Sequence, residues 1–184
     1  MRLQTNAKEL AGVAETRVAS AELAIDYGHP AEAGELLLDS IQEFHNEHDS
    51  DSEITARAVL AIAYIGQGKA TQANEQMKAA EPLVAASRNT NVKLGFEIAK
   101  AGVEAAMGKS VEAIKRLRST IAISRRKGYF TRQLHGRLAL AQIEIHSGHI
   151  VAGRAHLDVL ERDARVKGFA LIARQCAAAL ERSQ

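Results

Sequence analysis

Apolar residues recur at three- and four-residue spacing along most of the chain, the signature of amphipathic helices. Leu10, Val13, Ala14, Val18, Ala21 and Ile25 predict a first helix from near Thr5 to Tyr27. Gly28-His29 breaks it, and Pro30 opens the next helix, where its missing N–H costs nothing. That second helix turns Ala33, Leu37, Ser40, Ile41 and Phe44 inward and frays in the polar run His45 to Asp49. Ser50-Asp51-Ser52-Glu53 reads as a capping box, ahead of a helix carrying Ile54, Ala58, Ala61, Ile62 and Ile65. Gly66 and Gly68 end it. The following helix, Ala70 to Ser87, turns Ala73, Met77, Ala80 and Val84 inward, and Pro82 should kink it or end it early. Asn89-Thr90-Asn91 then caps a helix over Asn91–Met107. Helices over Ser110–Arg126, Thr131–Ser147 and Ile150–Lys167 follow, and a last one from Phe169 to about Arg182, with Gly128, Gly148 and Gly168 as stops.

The helices repeat at a fixed period of forty residues. Ala21, Ala61, Ala101 and Ala141 form one column of small residues. Gly28, Gly68, Gly108 and Gly148 form a column of turn glycines, and Ala33, Ala73, Ala113 and Gly153 a second small column. Leu37, Met77, Leu117 and Leu157 add a large apolar column. A constant period across a whole chain marks stacked helix pairs, each unit burying its face on its neighbours. Small residues sit where two antiparallel helices cross closely. The units are 5–49, 50–88, 89–128 and 129–168, in one repeat domain over 1–184. The helix over 169–182 caps the apolar face that a stack leaves open.

Small residue, turn glycine seven later, small residue five later and a large apolar residue four beyond: this skeleton resembles the tetratricopeptide family. Tyr64 falls where that family often carries tyrosine. The period of forty exceeds the family's usual length of about thirty-four, and the aromatic signature residues are mostly missing. Longer periods resemble the extended arrays of bacterial signalling proteins and transcription regulators. The runs Arg137 to Glu144 and Gly168 to Arg174 are similar to arrays attached to bacterial protein kinases and winged-helix regulators. The resemblance implies an all-α fold, a right-handed α-solenoid of four antiparallel helix pairs with a C-terminal capping helix. It also implies that the first helix of each unit lines a concave groove.

Composition fits. Aromatics are 4% and tryptophan is absent, so the core falls to Ala, Leu, Ile and Val. No apolar run is long enough to span a membrane, and no signal peptide is evident. The single cysteine, Cys176, excludes an internal disulfide and fits a reducing compartment, the cytoplasm by default. The net charge of +2 hides a split: residues 1–92 carry 7 Lys/Arg against 14 Asp/Glu, and residues 93–184 carry 17 against 8.

No motif has catalytic geometry, and no cofactor is expected. Gly66-Gln67-Gly68-Lys69 lacks the strand and spacing of a phosphate loop and reads as a helix–helix turn. Cys176 reads as a packed thiol among Ile172, Ala173 and Ala179. His45 and His48, with Glu47 and Asp49, have metal-ligand spacing but sit at a polar helix end.

Two surfaces remain. By the family's register the groove presents Glu15, Glu22 and Asp26 from unit one, and Thr55, Ala58, Ile62 and Ile65 from unit two. Unit three presents Gly95, Ile98 and Gly102, and unit four His135, Leu138, Gln142, Ile145 and His146. The Lys, Asn and Arg that the family's chaperone-tail binders use are missing there. What remains is a small-residue, partly apolar trough with an acidic end, suited to a peptide or helix. The second surface is a basic cluster of Lys115, Arg116, Arg118, Arg125, Arg126, Lys127 and Arg132 (with Arg137 beyond). Lys115, Arg116 and Arg126 fall within about 100° of helical arc, on the outer face. Such a stripe can contact phosphates, yet few aromatics interleave it, so base stacking is not supported. The expectation is a noncatalytic interaction module with a protein or peptide partner, a sensor or scaffold region in bacterial signalling or gene regulation. The alternatives are a nucleic-acid binder using the basic half, and a unit that self-associates weakly, head to tail, through its opposite charges.

Overall fold

The computed structural model describes the backbone of residues 2–183 and the side chains of residues 12–183, so Leu10 lies outside the described side chains. Among the described residues there are nine helices and no strand. They are α1 (Arg2–Asp26), α2 (Pro30–Asn46), α3 (Ser50–Gly66), α4 (Ala70–Ala86) and α5 (Thr90–Ala106), then α6 (Ser110–Lys127), α7 (Phe130–His146), α8 (Ile150–Val166) and α9 (Ala170–Arg182). The chain divides into two compact units, Met1–Val103 and Glu104–Gln184, with the division near the end of α5.

Two- and three-residue turns join the helices, and their chemistry repeats every twenty residues. Gly28 N donates to Ile25 O at 3.0 Å and His29 N to Ala24 O at 2.8 Å. This pair of bonds closes the helix end in a left-handed turn. Gly68, Gly108, Gly128, Gly148 and Gly168 adopt the same positive φ. At the twenty-residue register His48 stands instead of glycine, with φ 59°. His48 N donates to His45 O at 3.2 Å and Asp49 N to Phe44 O at 3.0 Å, so the turn is kept at a cost in strain. The polar run His45 to Asp49 is thus an ordered turn, and α2 stays helical to Asn46.

Two local expectations are corrected. Asp49, not Ser50, caps α3: its Oδ1 accepts from Ser52 N at 3.1 Å. Glu53 is buried and bound to Arg57, so it does not reach back to close a capping box. Pro82 does not end α4 early; the helix runs on to Ala86. The proline ring is exposed, as is Lys78 one turn earlier, so the carbonyl that loses its donor lies at the wet surface. The next turn, over residues 87–89, is built differently. Ser87 is extended, and the Asn89 side chain accepts from Asn91 N at 3.1 Å to start α5.

In the first unit, Ala14, Val18 and Ala21 of α1 pack with Ala33, Leu37, Ile41 and Phe44 of α2 and with Ala56, Val59, Leu60 and Ala63 of α3. Ile54, Ala58 and Ala61 then pack with Ala73, Met77 and Ala80 of α4 and with Val92, Phe96, Ala99 and Val103 of α5. In the second unit, Leu134, Leu138 and Ala141 of α7 pack with Leu157, Leu160 and Ala164 of α8 and with Ile172, Ala173, Cys176 and Ala179 of α9. The column residues Ala21, Ala33, Ala61, Ala73, Ala101, Ala113 and Ala141 are all fully buried. Gly153 shows why the fourth unit departs from alanine. A Cβ there would lie 2.6 Å from Ile145 Cγ1 and 2.7 Å from Ala141 O. Only hydrogen fits where α8 meets α7.

Two stability measurements follow. Gly153→Ala should lower stability by about 1–3 kcal/mol, because the clash is partly with backbone; an unchanged thermal midpoint would contradict that crossing geometry. His48→Gly should raise stability by up to about 1 kcal/mol, relieving left-handed strain against glycine's larger unfolded-state entropy. A fall in the midpoint would show that the His48 side chain is needed.

Candidate functional site

The residues expected to line a groove in the first unit lie on α1, α3 and α5. On α3, Thr55 is half-buried and donates its hydroxyl to Asp51 O at 3.0 Å. Ala58 belongs to the core. One turn on, Ile62 stands 38% exposed. Ile65 is half-buried, its Cδ1 only 3.3 Å from the place a Gly102 Cβ would occupy. Gly102 therefore lets α5 approach under the isoleucine. Ile98 of α5, one turn before Gly102, is half-buried. Ile65 is thus the isoleucine set against Gly102, with exposed Ile62 on the same helix. On α1, Glu15 and Glu22 are exposed and Asp26 is half-buried.

The second unit differs. Leu138 is 8% exposed and packs in the core, so it leaves the trough. Ile145 is half-buried and packs on the same core beside Gly153. Gln142 is half-buried, and exposed His146 donates from Nδ1 to Gln142 O at 2.7 Å. His135 is half-buried, and burial followed by the nearby Arg132 charge lowers its pKa from 6.5.

The basic cluster is also rearranged by neighbours. Arg116 does not point outward: its Nη2 and Nε reach the two oxygens of Glu104 at 2.7 and 2.9 Å. A helical wheel of α6 cannot register this, because Glu104 lies on α5. Arg118 is exposed yet reaches buried Glu144 Oε1 at 3.5 Å, and His156 Nδ1 lies 2.6 Å from the other oxygen. Lys115, Arg125, Arg126 and Lys127 are exposed and Arg132 is half-buried. Arg125, Arg126 and Lys127 occupy the last turn of α6, where the helix dipole favours cations.

These ion pairs follow the forty-residue frame. Glu104–Arg116 and Glu144–His156 share one register, forty residues apart. Arg17–Glu43 at 2.9 Å and Arg137–Asp163 at 2.8 Å share another. At the intermediate steps of that second register, Leu83 and Ile123 replace the acid. Sequence periodicity missed these contacts, although the columns 17/57/97/137 and 43/83/123/163 carried the signal.

Among the described residues no group of three or more His, Cys, Asp or Glu is placed to hold a metal. Cys176 is fully buried; desolvation, with Glu161 adding to it, pushes its thiol up to about 11. No described helix is long and apolar enough to cross a membrane.

No protein-family profile and no curated protein matches the chain. Two solved structures do match, both crystal structures of a Podosopora anserina putative kinesin light chain with nearly identical TPR-like repeats. One, a single-substitution variant, is 18% identical with a TM-score of 0.60, covering 95% of this chain and 85% of that one. The other is 17% identical at the same TM-score, covering 95% and 96%. The fold is a TPR-like helical repeat.

The lowered pKa of His135 makes stability pH-dependent. The unfolded chain binds a proton near pH 6.5 that the folded chain refuses, so stability falls as pH drops through that value. In His135→Gln that share of the acid sensitivity should vanish between pH 7.5 and 5. Identical pH profiles of the thermal midpoint for both proteins would refute the assignment.

Proposed function

We propose that this TPR-like chain is a noncatalytic module that holds a peptide or helix along the faces of its first helices, as a sensor or scaffold in bacterial signalling or gene regulation. The observation that carries the reading is Ile65 set against Gly102 in the first unit, with Ile62 exposed one turn earlier on the same helix and Ile98 half-buried one turn before the glycine. Exposed Ile62, one turn before that contact, offers a foothold for an apolar anchor side chain, and glycine keeps the neighbouring helix close. Glu15 and Glu22 on α1 supply negative charge in the same unit, favouring a ligand with basic flanks. The signalling context rests on the extended forty-residue period and its resemblance to regulator arrays.

An anionic polymer on the second unit is the other reading, supported by exposed Lys115, Arg125 and Arg126. Glu104 and Glu144 neutralise Arg116 and Arg118, which narrows that surface to the end of α6.

Selection from a displayed peptide library against the folded chain, followed by affinity measurements, separates the two. Ile62→Asp and Gly102→Val should each weaken the selected peptide by about tenfold or more, with Arg125→Glu and Arg126→Glu nearly silent. Binding that survives Ile62→Asp and falls with the arginine variants would overturn the trough. A log–log salt slope on generic RNA or DNA that steepens with the number of cations would instead support the polymer.

A further inference from the structure

Three valines share the outer side of α8, where the same register of α2 carries two acids. Leu157, Leu160 and Ala164 seat α8 in the core of the second unit. On the opposite side Val151, Ala155, Val159, Arg162 and Val166 are exposed, all within about 80° of helical arc. Val151 is 85%, Val159 44% and Val166 87% exposed. The corresponding residues of α2 are Ala31, Glu35, Asp39, Gln42 and Asn46, also exposed although α3 and α4 follow. Those of α6, namely Val111, Lys115, Ser119, Ala122 and Arg126, are exposed as well. That register is therefore the outward side of a second helix within the array, with helices still to come after it.

Charge separates α8 from α6. The earlier helix holds six Lys/Arg against one Asp/Glu, so two copies of it repel, whereas α8 holds three against three. An anionic surface would choose α6; only α8 suits a second copy of itself. Asp158 borders the valine stripe and Arg162 lies within it, both exposed. Arg162 Nε donates to the Asp158 main-chain O at 3.2 Å, which leaves the carboxylate and the terminal guanidinium nitrogens at the surface. One face thus carries an acid and a base one turn apart, between apolar ends. Parallel copies would set like charge on like. An antiparallel copy, turned about a two-fold axis near residues 158 and 159, brings Asp158 of each chain to Arg162 of the other.

We propose that the outer face of α8 docks antiparallel on the same face of a second copy. Val151 meets Val166 of the other chain, the two Val159 side chains meet beside the axis, and two Asp158–Arg162 pairs flank them. The contact is isologous, so it closes at a dimer. Apolar burial supplies the attraction; the ion pairs, individually weak, fix the direction. The seam is about 25 Å long, at the small end of the interface range, so the dimer is weak and exchanges readily. It uses none of the groove residues.

Sedimentation equilibrium of the full chain at concentrations up to about 1 mM tests this. The apparent mass should rise with concentration toward twice the monomer value and stop there. Val159→Asp should hold it at the monomer. Asp158→Arg and Arg162→Asp, each checked for unchanged helicity by circular dichroism, should self-associate about tenfold or more weakly. Mixed one to one, these two should dimerise as the parent chain does, because every acid again faces a base. Direction is read by mild oxidation of added cysteines, the native Cys176 being buried. Val159→Cys should form a disulfide-linked dimer. Val151→Cys alone should not, since its two thiols lie about 22 Å apart along the antiparallel helices; mixed with Val166→Cys it should. A monomer at every concentration overturns the proposal. So does growth beyond the dimer, association that survives Val159→Asp, a mixture of the charge variants that stays apart, or a Val151→Cys chain that cross-links with itself.

Discussion

Each helix pair here is held by close approach of two backbones at a crossing where side chains must be small. Ala61 and Ala73, or Ala141 and Gly153, are buried at such crossings, and neighbouring Met77 or Leu157 fills the space alongside. Close crossing in turn demands a tight turn, because a long loop would let the helices splay. A left-handed residue at every twentieth position, except in the turn over residues 87–89, supplies it, closing one helix and aiming the next antiparallel. Column and turn are two aspects of one geometric requirement. Deep packing follows: with tryptophan absent, leucine, isoleucine and alanine fill the core through intimate contact rather than bulk.

That requirement explains what was legible in the sequence. The helices, their order and the small columns could be read because periodicity records which faces are buried. The cap of α3 was misplaced by one residue, since Asp49 and Ser50 are both able caps and only the backbone decides. At Pro82, where a kink or an early end is expected, the helix continues to Ala86, and the exposure that permits this is not written in the local sequence. The candidate site was less legible. Arg116 sits at an outward-looking position of α6 but bends to Glu104, and Leu138 occupies a groove register but packs inward. Both depend on the neighbouring helix, which a single-helix pattern does not contain.

The apolar groove candidates of the first unit and the charged features of the second obey different physics. Ile62, Ile65 and Ile98 gain by excluding water, a short-range effect insensitive to salt. The cations of α6 act over a screening length and weaken in electrolyte.

The recurring Arg–acid pair bears on how freely repeats can be exchanged. Arg17 faces Glu43 and Arg137 faces Asp163, while Leu83 and Ile123 hold the acid's position in between. Arg57 accordingly turns to Glu53 and Gln76 instead. The four modules share a frame but not a wiring diagram. A chimera that joined the first helix of the fourth module to the second helix of the third would set Arg137 opposite Ile123, stranding a half-buried guanidinium. An exchange that keeps each arginine with its acid must therefore carry both helices of the pair together.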